Sequence, residues 1–171
     1  PYTTLFRSYS MLLDGAVDLI LSTKLEHPQI EAAYIGTHRL VLLVPEGHRL
    51  AGKGCVDLKE LDGENYIAFD PSGQLRSQLD ELFKELGVRP NMVMETLSDQ
   101  IIHGMVAARR GVAIVPYPLS GAPYNTQILP IANDIPQRKL YLQWNKERYI
   151  PPAAKYFRDY VIRSWRGVRP I

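Results

Sequence analysis

Residues 98–116 show most clearly how apolar and polar positions alternate along this chain. Ser98 is a favoured helix N-cap, and Asp99 places negative charge where the helix dipole stabilises it. The apolar positions that follow recur at helical spacing: Ile101, Ile102, Met105 and Val106. This periodicity predicts a helix that begins after Ser98 and buries one face.

The end of this helix leads directly into a predicted strand. Arg109 and Arg110 place positive charge in the last turn, and Gly111 can adopt a left-handed conformation as the chain turns. Val112–Val115 is a short apolar run of the kind found in strands buried on both faces, and Pro116 ends it. A helix joined so closely to a buried strand is typical of α/β sheets, which bind ligands beyond the carboxyl ends of their strands.

Three other segments show helical spacing. Residues 9–15 are typical of the end of a helix, with Gly15 as its stop. A second helix follows Gly73 and ends at Gly87; its apolar positions are Leu75, Leu79, Leu82, Phe83 and Leu86. The last helix runs from Pro151 or Pro152 to Trp165. Its predicted core face is Tyr156, Phe157, Tyr160, Val161 and Trp165. An aromatic stripe of this kind usually packs in a core, although part of it could serve a partner surface.

Short apolar runs between these helices predict the strands. They lie at residues 17–21, 32–35, 39–44, 66–69, 92–96, 128–131 and 139–144. Strands and helices therefore alternate, which favours an α/β fold. Two polar or glycine-rich stretches, 45–54 and 133–139, are places where the chain could pass from one lobe to another.

Composition narrows the class of protein. The chain has 171 residues and a formal net charge of +2, and its basic residues are scattered, which argues against nucleic-acid binding by this segment alone. The single cysteine, Cys55, excludes an internal disulfide. No apolar run approaches the length of a membrane span. Residues 1–8, PYTTLFRS, resemble the in-frame translation of a sequencing adapter, which predicts that they are not native and that the natural protein extends upstream of Tyr9.

Motifs for catalysis, metal binding and phosphate binding are missing from the sequence. It contains no GxSxG, GxGxxG or GxxxxGK[ST], and its histidines show no metal-ligand spacing: His27, His38, His48 and His103. These absences weigh against an enzyme without excluding one that uses scattered carboxylates. We expect no metal and no cofactor.

Candidate ligand contacts follow the predicted strands. Ser22 and Thr23 come after the first strand, where a solvated loop is an equal alternative. Ser72 and Gly73 begin a helix, whose free amide groups favour an anion or a carbonyl oxygen, although Ser72 could instead serve only as the helix cap. The loop at Pro116, Tyr117 and Pro118 is a third candidate, although Pro116 by itself is better explained as the end of a strand.

Five motifs, in this order, give the chain a family resemblance: GAVDLIL, RLVLLVPEGHRLA, VDLKELDGENYIAF, LRSQLDELFKELGVRPN and VAARRGVAIVP. From about Leu13 to Trp165 the chain resembles the effector-binding domain of LysR-type transcriptional regulators. The resemblance implies a two-lobe, type II periplasmic-binding-protein-like α/β fold, with crossovers at about 44–50 and 135–140. Lobe I would comprise 9–48 and 139–171, and lobe II 49–138. The family's first strand and helix of lobe I have no counterpart here, which predicts an incomplete first lobe.

The resemblance also implies a site and a mechanism. A small, carboxylate-bearing effector would bind in the cleft between the lobes and shift the protein toward a closed state. The matching positions are Ser22, Thr23, Ser72, Gly73, Ser98, Asp99, Pro116 and Tyr117. Asp99 would either repel the effector or bind its amine. The family usually has glycine where this chain has Arg109, so the turn relies on Gly111 or on strain at Arg109.

The partners implied for the full-length protein are the effector, a second copy in a dimer or tetramer, and DNA. DNA would be bound only through a helix-turn-helix domain that this sequence does not contain, and we expect a cytoplasmic protein without membrane contact. Two alternatives stay open at this point. One is a transport-type solute-binding protein, and the other is an enzyme on the same scaffold.

Overall fold

Helices and strands alternate only between residues 65 and 116; elsewhere, contrary to the prediction, several strands follow one another without an α-helix between them. The computed structural model describes residues 4–24, 26–72, 74–118, 120–135 and 137–165. Within them the helices are α1 (Thr4–Asp14), α2 (Gln74–Leu86), α3 (Asp99–Ala107) and α4 (Pro152–Trp165), with a 3₁₀ turn at Leu58–Leu61. The strands are β1 (Ile20–Ser22), β2 (Ile30–His38), β3 (Leu40–Pro45), β4 (Asn65–Phe69), β5 (Asn91–Thr96), β6 (Ala113–Pro116), β7 (Thr126–Leu129) and β8 (Arg138–Asn145).

The chain divides into two compact units. The first comprises Pro1–His38 and Arg138–Ile171, and the second comprises Arg39–Gln137. The resemblance places the first boundary after residue 48, whereas here it falls before β3. The reason is strand pairing, because β3 bonds to β6 and β7 of the second unit. The second boundary falls within the expected 135–140 range.

Two groups of strands build the sheet of the second unit. Strand β3 pairs antiparallel with β6 on one side and β7 on the other, and β4 pairs parallel with β5. A parallel bridge between Tyr66 and Val112 joins the groups. The amide of Ile67 donates to the carbonyl of Val112 at 2.9 Å, and the amide of Val112 donates to Asn65 at 2.8 Å. The strand order is therefore β5-β4-β6-β3-β7.

Strand β3 is the centre of the second unit's core. Every residue of this strand is buried. Leu40, Leu42 and Val44 pack on one face with the residues around α2, and Val41 and Leu43 pack on the other with α3 and β6. The sequence prediction of a buried strand is confirmed here and at β6, whose four residues are all buried.

The turn between α3 and β6 relies on a left-handed Arg109 and not on a left-handed Gly111. Arg109 adopts the left-handed conformation, with φ of 59°, whereas Gly111 does not. Gly111 is instead required by close packing, because a Cβ there would lie 2.5 Å from the carbonyl oxygen of Asn65. The sequence could not reveal this contact, since Asn65 lies on a strand far away along the chain.

The first unit contains a three-stranded antiparallel sheet with the order β1-β8-β2. Helix α1 packs on one face through Tyr9 and Leu12, which contact Ile20. Helix α4 packs on the other through Val161, which contacts Ile35 and Leu142. Successive residues of β8 point to opposite faces of the sheet. Gln143, which pairs with Ile20, points to the face that α1 covers, and Leu142 points to the face that α4 covers.

The predicted core face of α4 is confirmed at Val161 and wrong at its aromatic positions, for which a partner surface stays a prediction. Tyr156, Phe157 and Tyr160 are 70%, 55% and 55% exposed, whereas Val161 is buried. The helix instead turns Arg158 toward the sheet, where its guanidinium lies 4.9 Å from the ring centroid of Trp144. A long arginine can bury its stem and stack its head on an aromatic ring, so charge alone does not keep a residue off a core face.

Candidate functional site

Three parallel strands of the second unit end at one edge of its sheet. Strands β5, β4 and β6 run in the same direction, so their last residues, Thr96, Phe69 and Pro116, share that edge. Strand β3 runs the opposite way and begins there, next to Arg39. In α/β sheets this edge is where ligands bind. We refer to the segment ends 39, 69–72, 96–99 and 116–117 as the carboxyl edge.

At the carboxyl edge the N-terminus of α3 presents hydrogen-bond donors. Ser98 caps the helix, its hydroxyl oxygen accepting from the amide of Ile101 at 3.4 Å. The hydroxyl oxygen of Thr96 accepts from the amide of Ser98 at 3.2 Å, which fixes the cap. The Ser98 hydroxyl proton remains available for an acceptor, and the amides of the first turn point outward. Asp99 is exposed beside them.

The loop after β4 is held by an aspartate. The carboxylate of Asp70 accepts from both the amide and the hydroxyl of Ser72, the amide at 2.9 Å. These two hydrogen bonds hold the pKa of Asp70 below its usual range. The amide of Asp70 donates to the carbonyl of Thr96 at 3.0 Å, which joins this loop to the start of α3. Gly73, the other residue predicted in this loop, lies outside the described residues.

A buried arginine ties β4 and β5 together beneath the carboxyl edge. Arg76 donates through Nη1 to the carbonyl of Phe69 at 2.8 Å and to Glu95 at 2.6 Å. Its Nε donates to both carboxylate oxygens of Asp80 at 2.8 Å. Arg76 was not among the residues predicted from the sequence. Its only local signal is the spacing of Arg76 and Asp80, four residues apart on one helix.

The end of β6 brings a second unpredicted arginine to the carboxyl edge. The amide of Tyr117 donates to the carbonyl of Arg39 at 2.8 Å. The Arg39 guanidinium lies 6.0 Å from the centroid of the Tyr117 ring. Pro116 is buried as the last residue of β6, and Tyr117 is half-buried. No local motif marks Arg39, because its position follows from the pairing of β3 with β6.

The remaining predicted residues, Ser22 and Thr23, lie in the first unit and close a polar cluster there. The hydroxyl of Tyr9 donates to the carbonyl of Thr23 at 2.6 Å, and Gln143 Nε2 donates to the same oxygen at 3.1 Å. Ser22 is buried and accepts from Gln143 Nε2 at 2.8 Å. The Ser22 hydroxyl is thus committed to internal contacts. Tyr9 and Gln143 were not among the residues predicted from the sequence.

A pocket in the first unit contains none of the predicted residues. Its lining comes from the end of α1 and the loop before α4: Leu12, Gly15, Val17, Asp18, Asn145, Arg148, Tyr149 and Ile150. Among the described residues, no group of three or more acidic, histidine or cysteine side chains is arranged to hold a metal. No helix in the described ranges is long and apolar enough to span a bilayer.

Sequence comparison places this architecture in a known class of ligand-binding domains. Residues 4–166 match the family described as LysR substrate binding domain, so the chain belongs to that family. The chain is 34% identical over 155 residues to an uncharacterised HTH-type regulator, YybE of Bacillus subtilis (strain 168), covering 88% of this chain and 52% of the relative. It is 28% identical over 135 residues to the Hca operon transcriptional activator HcaR of Escherichia coli (strain K12), covering 76% and 45%. The chain thus spans about half the length of these relatives.

Solved structures give the fold. The effector-binding domain of QuiR in complex with shikimate superposes with a TM-score of 0.84 at 30% identity, covering 95% of this chain and 78% of that one. HinK, a LysR family regulator from Pseudomonas aeruginosa, gives 0.82 at 27% identity, with 95% and 58% covered. The benzoate-bound BenM domain gives 0.74 at 21%, with 92% and 73% covered, which shows the fold alone. The fold is the type II periplasmic-binding-protein-like fold expected from the sequence.

Proposed function

We propose that this chain is the ligand-sensing part of a bacterial transcriptional regulator and binds a small carboxylate-bearing metabolite. One observation carries the proposal furthest: the ends of β4, β5 and β6 share an edge with the capped N-terminus of α3. That edge offers hydroxyls and outward amides to the oxygen atoms of a small acid. The similarity to a domain solved with shikimate supports the same class of effector.

Ser98 is the residue that we expect to contact the effector most directly, because its hydroxyl can cap α3 and still donate outward. Ser72 donates to Asp70 and so offers the effector its lone pairs. Pro116 and Tyr117 would form an apolar and aromatic wall beside them. Ser22 and Thr23 stay predicted contacts; of these, Thr23 is only partly buried.

In the full-length regulator, we propose, effector binding shifts the domain between two conformational populations and so changes DNA binding by a helix-turn-helix domain. The relatives named as HTH-type regulators support this coupling, and they favour it over a transport-type solute-binding protein. We propose that the protein is a cytoplasmic homo-oligomer, and we assign it no catalytic step. A second copy and DNA are the expected partners.

The experiment that tests this proposal is a thermal-shift titration with shikimate and benzoate. A ligand that binds only the folded state stabilises it by about 2.7 kcal/mol at a hundredfold excess over Kd. We expect at least one acid to raise the Tm, Ser98→Ala to weaken that response about tenfold in Kd, and Ser72→Ala to weaken it less. Ser164→Ala, an exposed serine on α4, is the matched control. An unchanged response in both Ser98→Ala and Ser72→Ala would count against the site.

A further inference from the structure

The carboxyl edge carries more negative than uncommitted positive charge. Asp70 and Asp99 lie on it, and Glu95 and Asp80 lie beside it. The buried guanidinium of Arg76 is already shared between Asp80 and Glu95. An acid approaching Ser98 therefore needs another cation to offset repulsion by Asp99.

Arg39 is the cation that meets this need. It is exposed, and among the residues that the structure describes no carboxylate lies within ion-pairing distance of it. The Tyr117 ring lies beneath its guanidinium, and the Tyr117 amide holds its carbonyl. Stacking on a ring orients a guanidinium while leaving its N–H edge open to a carboxylate, which it can bind through two hydrogen bonds.

We propose that Arg39 binds the carboxylate of the effector and that Ser98 and Ser72 bind its hydroxyl groups. This assignment depends on the proposed function and specifies the orientation of the ligand, that is, which end faces Arg39 and which end faces the two serines. In the strand order β5-β4-β6-β3, Arg39 and Thr96 are three strand spacings apart, roughly 14 Å at about 4.8 Å each. When the length of the Arg39 side chain is subtracted from this distance, the gap that remains fits one small ring or a short chain. The effector class is thus a small hydroxylated acid with its carboxylate at one end.

This orientation of the ligand also determines which ligand groups Asp99 tolerates. A hydroxyl group can donate to a carboxylate, whereas a second carboxylate would be repelled by it. Asp99 beside Ser98 therefore selects for a neutral, hydroxyl-bearing end of the ligand. An acid with carboxylates at both ends is expected to bind more weakly than a hydroxylated monoacid of the same length.

The decisive experiment needs no knowledge of the natural effector. Sodium acetate is titrated into the wild-type chain with the ¹⁵N side-chain signals of arginine under observation, and sodium chloride at equal ionic strength serves as the reference. We expect the Nε–Hε signal of Arg39 to follow a saturating curve with acetate only. Arg110, exposed in the turn after α3, is the matched control and should not respond. An Arg39 response no larger than that of Arg110 overturns the assignment.

A second measurement separates this inference from the proposed function. Shikimate and its uncharged methyl ester are titrated into wild type, Arg39→Gln, Arg39→Lys and Arg110→Gln. We expect Arg39→Gln to weaken shikimate at least tenfold without changing the affinity for the ester, and Arg39→Lys to lose less. Equal shikimate affinity in wild type and Arg39→Gln, with loss in Ser98→Ala, would overturn the role of Arg39 and leave the effector site standing. No response of wild type to acetate, shikimate or benzoate would overturn both.

Discussion

The two units of this chain bury their apolar side chains to very different extents. In the second unit β3 has a strand on each side and a cluster on each face, and Leu42 is 0% exposed. In the first unit β1 bonds only to β8 among the described strands, and its central residue, Leu21, is 58% exposed. The aromatic stripe of α4 is also exposed. A leucine in the middle of a strand therefore contributes differently to the free energy of unfolding in the two sheets.

Truncating these two leucines should give the largest contrast. Leu42→Ala removes a fully buried side chain from the centre of the core and should cost about 4 kcal/mol of the free energy of unfolding. Leu21→Ala should change it by no more than about 0.5 kcal/mol. Urea unfolding followed by far-UV circular dichroism measures both. Equal losses would mean that Leu21 is covered in solution, for instance by association between copies.

The tryptophans allow the units to be followed separately. Both tryptophans of the chain, Trp144 and Trp165, belong to the first unit. Tryptophan fluorescence therefore reports on that unit, while circular dichroism reports on both. If the units unfold independently, Leu42→Ala should lower the midpoint seen by circular dichroism and leave the fluorescence midpoint in place. Coincident shifts would show that the two units unfold as one.

The next largest effect concerns the close approach at Gly111. In Gly111→Ala the added Cβ would meet the carbonyl oxygen of Asn65 at 2.5 Å, and this backbone cannot move without breaking the bonds that join β4 to β6. We expect a loss of about 3 kcal/mol. Gly104 lies within α3, and open space surrounds the position that a Cβ would take, so Gly104→Ala should stabilise the protein by about 0.5–1 kcal/mol. Hydrogen exchange at β6 should increase only in the Gly111 variant.

The apolar stripes of α2 and α4 show what the sequence could predict and what it could not. Every helix and strand of the described chain lies at or near its predicted position, because apolar periodicity is a local property. The stripe of α2 was assigned correctly: Leu79 and Phe83 are buried. The stripe of α4 was not, because the choice between its faces depends on which residues the sheet presents. There Trp144 accepts Arg158, and local spacing carries no information about that contact.

The candidate site shows the same limit. Ser98 and Pro116 were predicted from a cap and a strand end, which are local signals, and the structure places both at the carboxyl edge. Whether either binds an effector stays a prediction. Arg39 and Arg76 arrive there through the pairing of β3 with β6 and the packing of α2, which involve residues far apart in sequence. Non-local contacts of this kind leave no local motif.

The first unit has a smaller apolar core than the second and contains the polar cluster around Thr23. Tyr9→Phe removes one of the donors to the Thr23 carbonyl and the hydroxyl that lies 2.9 Å from Gln143 Oε1. Since both groups are buried or partly buried, we expect a loss of about 2 kcal/mol. Tyr149→Phe, at an exposed tyrosine, should have almost no effect. Fluorescence-detected unfolding measures this directly, and a loss below that of Tyr149→Phe would contradict the role of the cluster.

A smaller, opposite effect is expected at the left-handed turn of the second unit. Holding a non-glycine residue at φ near 60° costs roughly 1–2 kcal/mol. Glycine avoids this cost but loses more backbone entropy on folding, which offsets part of the gain. Arg109→Gly should therefore stabilise the protein by about 0.5–1 kcal/mol. Arg110, whose φ is not positive, provides the control: Arg110→Gly should be neutral or destabilising. A destabilised Arg109→Gly would indicate that the side chain itself holds the turn.

The smallest effect is a titration at the carboxyl edge of the second unit. Ser72 donates its hydroxyl and amide protons to Asp70, so the folded state favours the ionised carboxylate and the pKa of Asp70 is lowered. Its contribution to stability is complete above the unfolded-state pKa and is lost as the pH falls through the lower, folded-state pKa. Carboxyl ¹³C titration should show this lowered pKa, and Ser72→Ala should move it part of the way back, because the amide bond remains. Asp57, whose pKa is lowered chiefly by the Lys59 amide, should be unaffected by Ser72→Ala. If the pKa of Asp70 is unchanged in the variant, then the Ser72 hydroxyl does not donate to Asp70 in solution and can donate to a ligand, as the Ser98 hydroxyl can.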